Sequence, residues 1–168
     1  MEKMFSLAYL TVPGTHPADQ IEIAARCGYE GVSLRPISMK LPGEPDFRLA
    51  NPVIYQNVKS ALNRTGVKLL DIELARVGDG IDVSAYEADF EKAAELLESV
   101  EEELSADHRW NFRMGYACYY LNREKKAKHY FEKALEALPG DEDTLYFIKE
   151  CERCLALPSS AKSEAKRS

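Results

Sequence analysis

Arg35 and Glu73 are the two residues whose types and positions best suit them for chemistry. Both lie near the ends of short runs that predict β-strands, and both fall on the polar side of those runs. At the carboxyl ends of adjacent parallel strands, an arginine can bind a substrate and a glutamate can act as an acid or base. A structural ion pair, extended by Asp71, is the other interpretation of the same charges.

The cysteines and histidines show no complete catalytic or metal-binding pattern. Cys151 and Cys154 have the C-x-x-C spacing of redox and zinc motifs. A redox pair, however, opens a helix after a strand, and a structural zinc site needs a second pair. We therefore predict that both are thiols packed within a helix. The three histidines share no ligand spacing, and His16 is expected at the start of a helix or on the surface, with a substrate contact as the alternative.

Predicted strands alternate with predicted helices in the first half of the chain. The strands are expected at residues 4–12, 31–35 and 68–77, and the helices at 17–27 and 52–64. Strands separated by single helices imply right-handed crossovers and a parallel sheet. The sequence therefore predicts an α/β fold for this half.

The third predicted strand alternates between apolar and polar side chains. Its expected apolar face comprises Leu70, Ile72 and Leu74, and its opposite face comprises Asp71, Glu73 and Ala75. A sheet covered by helices on both faces would show continuous apolar runs instead. One partly polar face is what the interior of a barrel would present toward an active site.

Two segments of this half carry a family resemblance. AARCGYEGVSLRP, at residues 24–36, and LLDIEL, at residues 69–74, are similar to the opening of the xylose isomerase-like TIM barrels, the sugar phosphate isomerase/epimerase group. The resemblance covers roughly residues 4–95, about a third of a typical barrel. It implies isomerisation of a sugar or sugar phosphate with Mn, Mg, Co or Zn, and Glu73 and Arg35 as catalytic residues. The later strands that would carry the family's metal ligands do not follow, which leaves Glu73 as a weak metal-ligand candidate.

A second resemblance lies in the helical half of the sequence. The positions that match the tetratricopeptide repeat are Met114, Gly115, Ala127, Phe131, Ala134 and Pro139. Two positions depart from the pattern: Trp110 lies one residue early, and Cys118 replaces an aromatic residue. The resemblance implies a helical hairpin whose groove binds a protein or peptide, with Trp110, Tyr116 and Tyr120 in contact with the partner.

A strongly helical stretch at residues 84–104 joins the two halves. Ala93 and Leu97 lie 34 residues before Ala127 and Phe131, so this stretch resembles the second helix of a preceding repeat. It is also expected to act as the third helix of the barrel-type half. One continuous helix can do both only if its apolar stripe serves the sheet first and the hairpin later. The alternative is a break near Glu95, which would favour a simple linker between independent parts.

Composition and charge limit the classes of partner. The chain has 168 residues, 45% hydrophobic residues and a formal net charge of −6. Neither half provides the basic field that nucleic acid requires. The apolar run at the N-terminus is too short to span a membrane, and without an export signal we expect a cytoplasmic protein with reduced cysteines.

The sequence thus predicts an α/β part followed by an all-α part. Residues 1–94 are expected to form a partial barrel segment with three parallel strands, residues 95–157 a tetratricopeptide-like helical region, and residues 158–168 a disordered tail. We expect a fusion-type, non-catalytic interaction protein that needs no cofactor. The alternative is an isomerase or epimerase whose site is completed by oligomerisation. The open sheet edge is expected to be covered by the helical half or by a second copy in a homodimer.

Overall fold

The computed structural model describes residues 4–38, 42–73 and 82–158. The chain divides into two compact units, Met1–Arg76 and Val77–Ser168, which we name the α/β unit and the helical unit. This division falls upstream of the boundary expected after residue 94. The domain boundaries at 94 and 157 stay predictions, and the expected disordered tail lies almost entirely outside the described residues.

The α/β unit contains a three-stranded parallel sheet in the order β1-β2-β3. The strands are β1 (Ser6–Ala8), β2 (Gly31–Leu34) and β3 (Lys68–Ile72). The prediction of three parallel strands is confirmed, although β1 is shorter than expected because Tyr9–Thr11 forms a 3-10 turn. β1 and β3 are the outer strands of the sheet, and a homodimer through an open edge stays a prediction.

β3 contains one residue more than β2 along their shared ladder. Val32 pairs with Leu69, but the next residue, Ser33, pairs with Asp71. Leu70 is therefore the extra residue of a β-bulge, which resets the alternation of side chains along the strand.

The bulge changes which residues of β3 share a face. Leu69 and Ile72 are buried, whereas Leu70 is half-buried. Leu70 lies so close to Gly31 that a Cβ atom on Gly31 would come within 2.4 Å of Leu70 Cδ1. The expected apolar face of Leu70 and Ile72 is thus wrong at Leu70, and Leu74 lies outside the described residues.

Two helices connect the strands of this unit. Helices α1 (Pro17–Arg26) and α2 (Pro52–Thr65) pack on each other, and each begins with a proline in its first turn. The buried Gln20 joins α1 to the sheet, because its amide Nε2 donates to the carbonyls of Leu7 and Ser33 at 3.1 and 2.9 Å. The most deeply buried apolar residues of the unit are Ile21, Ala24, Val32, Leu34, Leu49, Val58, Ala61 and Leu69.

The helical unit contains five described helices. A 3-10 turn at Val83–Tyr86 precedes α3 (Glu87–Glu98), α4 (Glu101–Leu104), α5 (His108–Tyr120), α6 (Glu124–Ala137) and α7 (Glu142–Ala156). The stretch at residues 84–104 is therefore not one continuous helix but is interrupted, close to the alternative that places a break near Glu95. Its break follows Glu98, where the Ser99 hydroxyl donates to the carbonyl of Leu96 at 2.6 Å and competes with helical hydrogen bonding.

Small residues allow α5 and α6 to approach closely. A Cβ atom on Gly115 would lie 2.8 Å from the ring of Phe131, so this position has no room for a side chain. Ala127 and Ala134 of α6 have no exposed surface. The turn between the helices contains Asn122 with φ of 57°, a left-handed conformation that asparagine tolerates.

Helix caps recur at the 34-residue spacing noticed in the sequence. Asp107 caps α5 by accepting a hydrogen bond from the backbone N–H of Trp110 at 2.9 Å. Asp141, which lies 34 residues later, caps α7 by accepting one from Thr144 at 2.9 Å. The alternate helices α5 and α7 thus begin in the same way at positions 34 residues apart.

Candidate functional site

Arg35 and Glu73 form an ion pair at the carboxyl ends of β2 and β3. Arg35 Nε donates to Glu73 Oε2 at 2.8 Å, and Nη2 lies 2.5 Å from the same oxygen. The guanidinium also lies 4.8 Å from the centroid of the Tyr9 ring, a cation–π distance. The structure therefore brings together the two residues singled out in the sequence, and their catalytic role stays a prediction.

Glu44 is the second carboxylate beside Arg35. Its Oε1 lies 3.8 Å from Arg35 Nη1, and its Oε2 accepts a hydrogen bond from Ser38 Oγ at 3.0 Å. The side chains of Arg35 and Glu44 are 10% and 7% exposed. Glu44 joins Glu73 in the ion-pair group around Arg35, and the inclusion of Asp71 stays a prediction. The sequence did not indicate Glu44, because this residue follows β2 in an irregular loop that has no periodic pattern.

A cleft of about 240 Å³ lies against this ion-pair group. Its wall includes Tyr9, Leu10, Pro13, Arg35, Glu44 and Pro45. The Tyr9 hydroxyl accepts a hydrogen bond from the backbone N–H of Gly14 at 3.1 Å, which holds the turn after β1 against the ring. The cleft thus combines mostly apolar walls with one charged end.

Metal-ligating side chains are not grouped in the described parts of the α/β and helical units. Within residues 4–38, 42–73 and 82–158, no three His, Cys, Asp or Glu side chains lie together in a way that could hold a metal ion. His16 caps α1, because its Nδ1 accepts a hydrogen bond from the N–H of Ala18 at 3.2 Å, as expected for a residue at a helix start. Metal binding by Glu73 stays a prediction.

The four cysteines are free thiols, and three of them are buried. Cys151 and Cys154 lie in α7 with no exposed surface, as expected for thiols packed within a helix. Burial also raises the pKa of the Cys118 thiol, which lowers the fraction of reactive thiolate. Cys27 is the exposed thiol.

These differences predict selective thiol labelling. In native buffer, a disulfide reagent such as Ellman's reagent is expected to modify Cys27 rapidly and the buried thiols only as the helical unit opens. All four thiols should react after denaturation. A Cys27→Ser variant should lose the rapid phase, and two or more rapid thiols in the unmodified chain would contradict the buried placement of Cys118, Cys151 and Cys154.

Trp110 is a core residue of the helical unit. It has no exposed surface, and its indole Nε1 donates to the carbonyl of Leu97 at 3.0 Å. Its ring meets Tyr130 edge-on, with ring centroids 5.6 Å apart. The expectation that Trp110 contacts a partner is therefore wrong, because the ring is used to pack α3, α5 and α6 together.

Aromatic rings from three helices form a connected surface on the helical unit. We name it the aromatic face, and it comprises Phe90 of α3, Phe112, Tyr116 and Tyr120 of α5, and Tyr146 and Phe147 of α7. The rings of Tyr116 and Tyr120 lie 4.7 Å apart, and Tyr120 stacks on Phe90 at 5.6 Å. Phe147 joins α7 to α5 at 5.3 Å from Tyr116.

Exposure differs among the residues of the aromatic face. Phe90 and Tyr116 are buried, Phe112, Tyr120 and Phe147 are half-buried, and Tyr146 is 59% exposed. Sequence analysis identified Tyr116 and Tyr120 but missed the others. The i, i+4, i+8 spacing of Phe112, Tyr116 and Tyr120 was the signal that could have extended the set along α5.

The hydroxyl groups near this face stay protonated at neutral pH. Burial raises the pKa of the Tyr116 hydroxyl, and the neighbouring Tyr120 raises it further. Burial also raises the pKa of Tyr119, whose hydroxyl lies 3.4 Å from Glu150 Oε2. Neutral phenols can donate hydrogen bonds, so the face combines apolar ring surface with polar tips.

Comparisons with protein-family models, curated proteins and solved structures found no match to this chain. Among the described helices, none has the length and apolar character needed to cross a membrane.

Proposed function

We propose that this chain is a protein-interaction module that binds a peptide segment of a partner protein on the aromatic face of the helical unit. The observation that carries the proposal is the aromatic face itself. It combines rings from α3, α5 and α7 with a half-buried Tyr120 and a largely exposed Tyr146. Aromatic residues are enriched in binding interfaces because they bury a large area with few rotatable bonds.

The recurrence of caps at Asp107 and Asp141 supports a repeat-type helical unit. In tetratricopeptide-like arrays, successive helical hairpins stack and leave one face as an extended binding groove. The close packing of Gly115 on Phe131 is consistent with such a hairpin. A groove of this kind takes an extended peptide or a helix through anchoring side chains.

Charge favours a basic partner segment. Residues 77–168 contain 20 acidic and 13 basic residues. Glu150 lies beside the aromatic face, 3.4 Å from the Tyr119 hydroxyl, and its carboxylate also forms an ion pair with Arg153. We therefore propose a peptide that carries an apolar or aromatic anchor flanked by lysine or arginine, which complementary charge would steer to the site and cation–π contact would help to hold.

Selection from a displayed random-peptide library tests the proposal. The full chain is expected to enrich peptides with an aromatic or large apolar anchor next to basic residues, with micromolar dissociation constants for the synthetic peptides. Tyr146→Ala is expected to weaken their binding about tenfold, which corresponds to about 1.4 kcal/mol. Tyr146 is suited to this test because its 59% exposure makes a large effect on folding unexpected.

Leu138→Ala is the matched control. Leu138 is an exposed apolar residue of the helical unit, at 46%, and it lies at the end of α6 outside the aromatic face. Its replacement should leave the dissociation constants unchanged. Failure to enrich any peptide, enrichment of acidic peptides, or equal losses in the two variants would each refute the proposal.

A further inference from the structure

Arg35 presents hydrogen-bond donors that the described residues do not satisfy. Its Nε and Nη2 are used by Glu73, but Nη1 lies 3.8 Å from Glu44 Oε1, beyond hydrogen-bond range. No other described residue accepts a hydrogen bond from Arg35. The side chain is nine-tenths buried and lines the cleft of the α/β unit. Nη1 itself is open to the cleft, where water or a ligand supplies its acceptor.

The charges around Nη1 restrict which chemical group of a ligand can accept its hydrogen bond. Glu73 at hydrogen-bond distance already balances the guanidinium charge, and an oxygen atom bound to Nη1 would lie next to Glu44 Oε1. A ligand carboxylate would there face a like charge. A hydroxyl group can accept from Nη1 and turn its own hydrogen toward Glu44, so that both hydrogen bonds are favourable.

The walls of the cleft favour an apolar ligand body. Leu10, Pro13 and Pro45 contribute aliphatic surface, and Tyr9 contributes part of its ring. The volume of about 240 Å³ exceeds the roughly 150 Å³ of an apolar cavity that binds benzene, so the cleft has room for one small ring. The charged end provides orientation, and the walls provide the area that is removed from water.

We propose that this cleft is a binding site for a small uncharged alcohol or phenol, whose hydroxyl group binds between Arg35 Nη1 and Glu44 while its ring lies against the apolar wall. This site belongs to the α/β unit and is separate from the peptide-binding role proposed for the helical unit. Either proposal can fail without affecting the other.

The preference for an uncharged ligand can be tested with three ring compounds of similar size that differ in charge. Cyclohexanol, cyclohexanecarboxylate and protonated cyclohexylamine are titrated into the isotopically labelled full chain, and amide NMR shifts are followed at Leu10, Gly14 and Gly43. Cyclohexanol is expected to shift these amides with a dissociation constant about tenfold lower than either charged compound. The absence of cyclohexanol-dependent shifts, or equal or tighter binding of a charged compound, overturns the proposal.

A pair of matched variants tests the location of the site. Leu10 and Val53 are both 67% exposed in the α/β unit, but Leu10 lines the cleft and Val53 lies on α2 outside it. Leu10→Ala is expected to weaken cyclohexanol binding about threefold because part of the apolar wall is lost. Val53→Ala should leave it unchanged. Equal effects of the two substitutions would show that the cleft is not the binding site.

Discussion

Replacing Trp110 with alanine is expected to lower the free energy of unfolding of the helical unit by about 3–5 kcal/mol, the usual loss when a large aromatic side chain is removed from a core. Trp110 has no exposed surface, and it packs against Tyr130 while bonding to the carbonyl of Leu97. The substitution therefore leaves a cavity between helices and removes one of the hydrogen bonds to the Leu97 carbonyl, which also accepts from the backbone N–H of Val100 at 3.2 Å. Urea unfolding followed by far-ultraviolet circular dichroism measures the loss.

Trp110→Phe separates the two contributions. Phenylalanine keeps most of the apolar ring but cannot donate to the carbonyl of Leu97, so we expect a smaller loss of about 1–3 kcal/mol. Tyr146→Ala, on the exposed part of the aromatic face, should change stability by no more than about 0.5 kcal/mol. A loss below about 1 kcal/mol for Trp110→Ala would contradict the assignment of Trp110 to the core.

The second large loss of stability is expected when Arg35 is replaced. Arg35→Met removes the cation between Glu44 and Glu73, whose side chains are 7% and 21% exposed. Removing one member of a buried ion pair is strongly destabilising, and both the partial exposure of Glu73 and the hydrogen bond from Ser38 to Glu44 reduce the cost, so we expect a loss of about 2–4 kcal/mol. The same urea unfolding experiment measures it in the α/β unit.

A double-variant cycle controls for the lost packing of the arginine stem. Combining Arg35→Met with Glu73→Met also removes the Glu73 carboxylate. The double variant is therefore expected to be more stable than Arg35→Met alone. The difference between the summed single effects and the double effect gives the coupling of the two side chains. A coupling near zero would mean that the observed ion pair contributes nothing to stability.

Local patterns in the sequence were sufficient to predict the type and order of the strands and helices in the α/β unit. The three parallel strands and the helices between them follow from alternating apolar runs bounded by proline and glycine. The bulge at Leu70 could not be predicted, because the register of β3 depends on its pairing with β2. A break near Glu95 was one of the alternatives that the sequence left open, but its position after Glu98 could not be predicted, since helical periodicity continues through Ser99.

Candidate site residues were predicted with uneven success. Arg35 and Glu73 were found because both lie on the polar side of adjacent strands, which brings their side chains together. Glu44 was missed, since a loop between β2 and α2 can approach the strand ends in many ways. Trp110 was assigned to the partner-binding surface from the tetratricopeptide resemblance, whereas its burial depends on the packing of three helices, which the sequence pattern does not reveal.

Mapping a selected basic peptide onto the chain by amide NMR tests the central claim most directly. With binding on the aromatic face, the largest shifts should occur at the backbone amides of Tyr120, Tyr146 and Phe147, and these shifts should disappear in Tyr146→Ala. The amide chemical shifts of the α/β unit and of Leu138 should not change. Shifts confined to the α/β unit, or to the exposed side of α6, would contradict the proposed interaction surface.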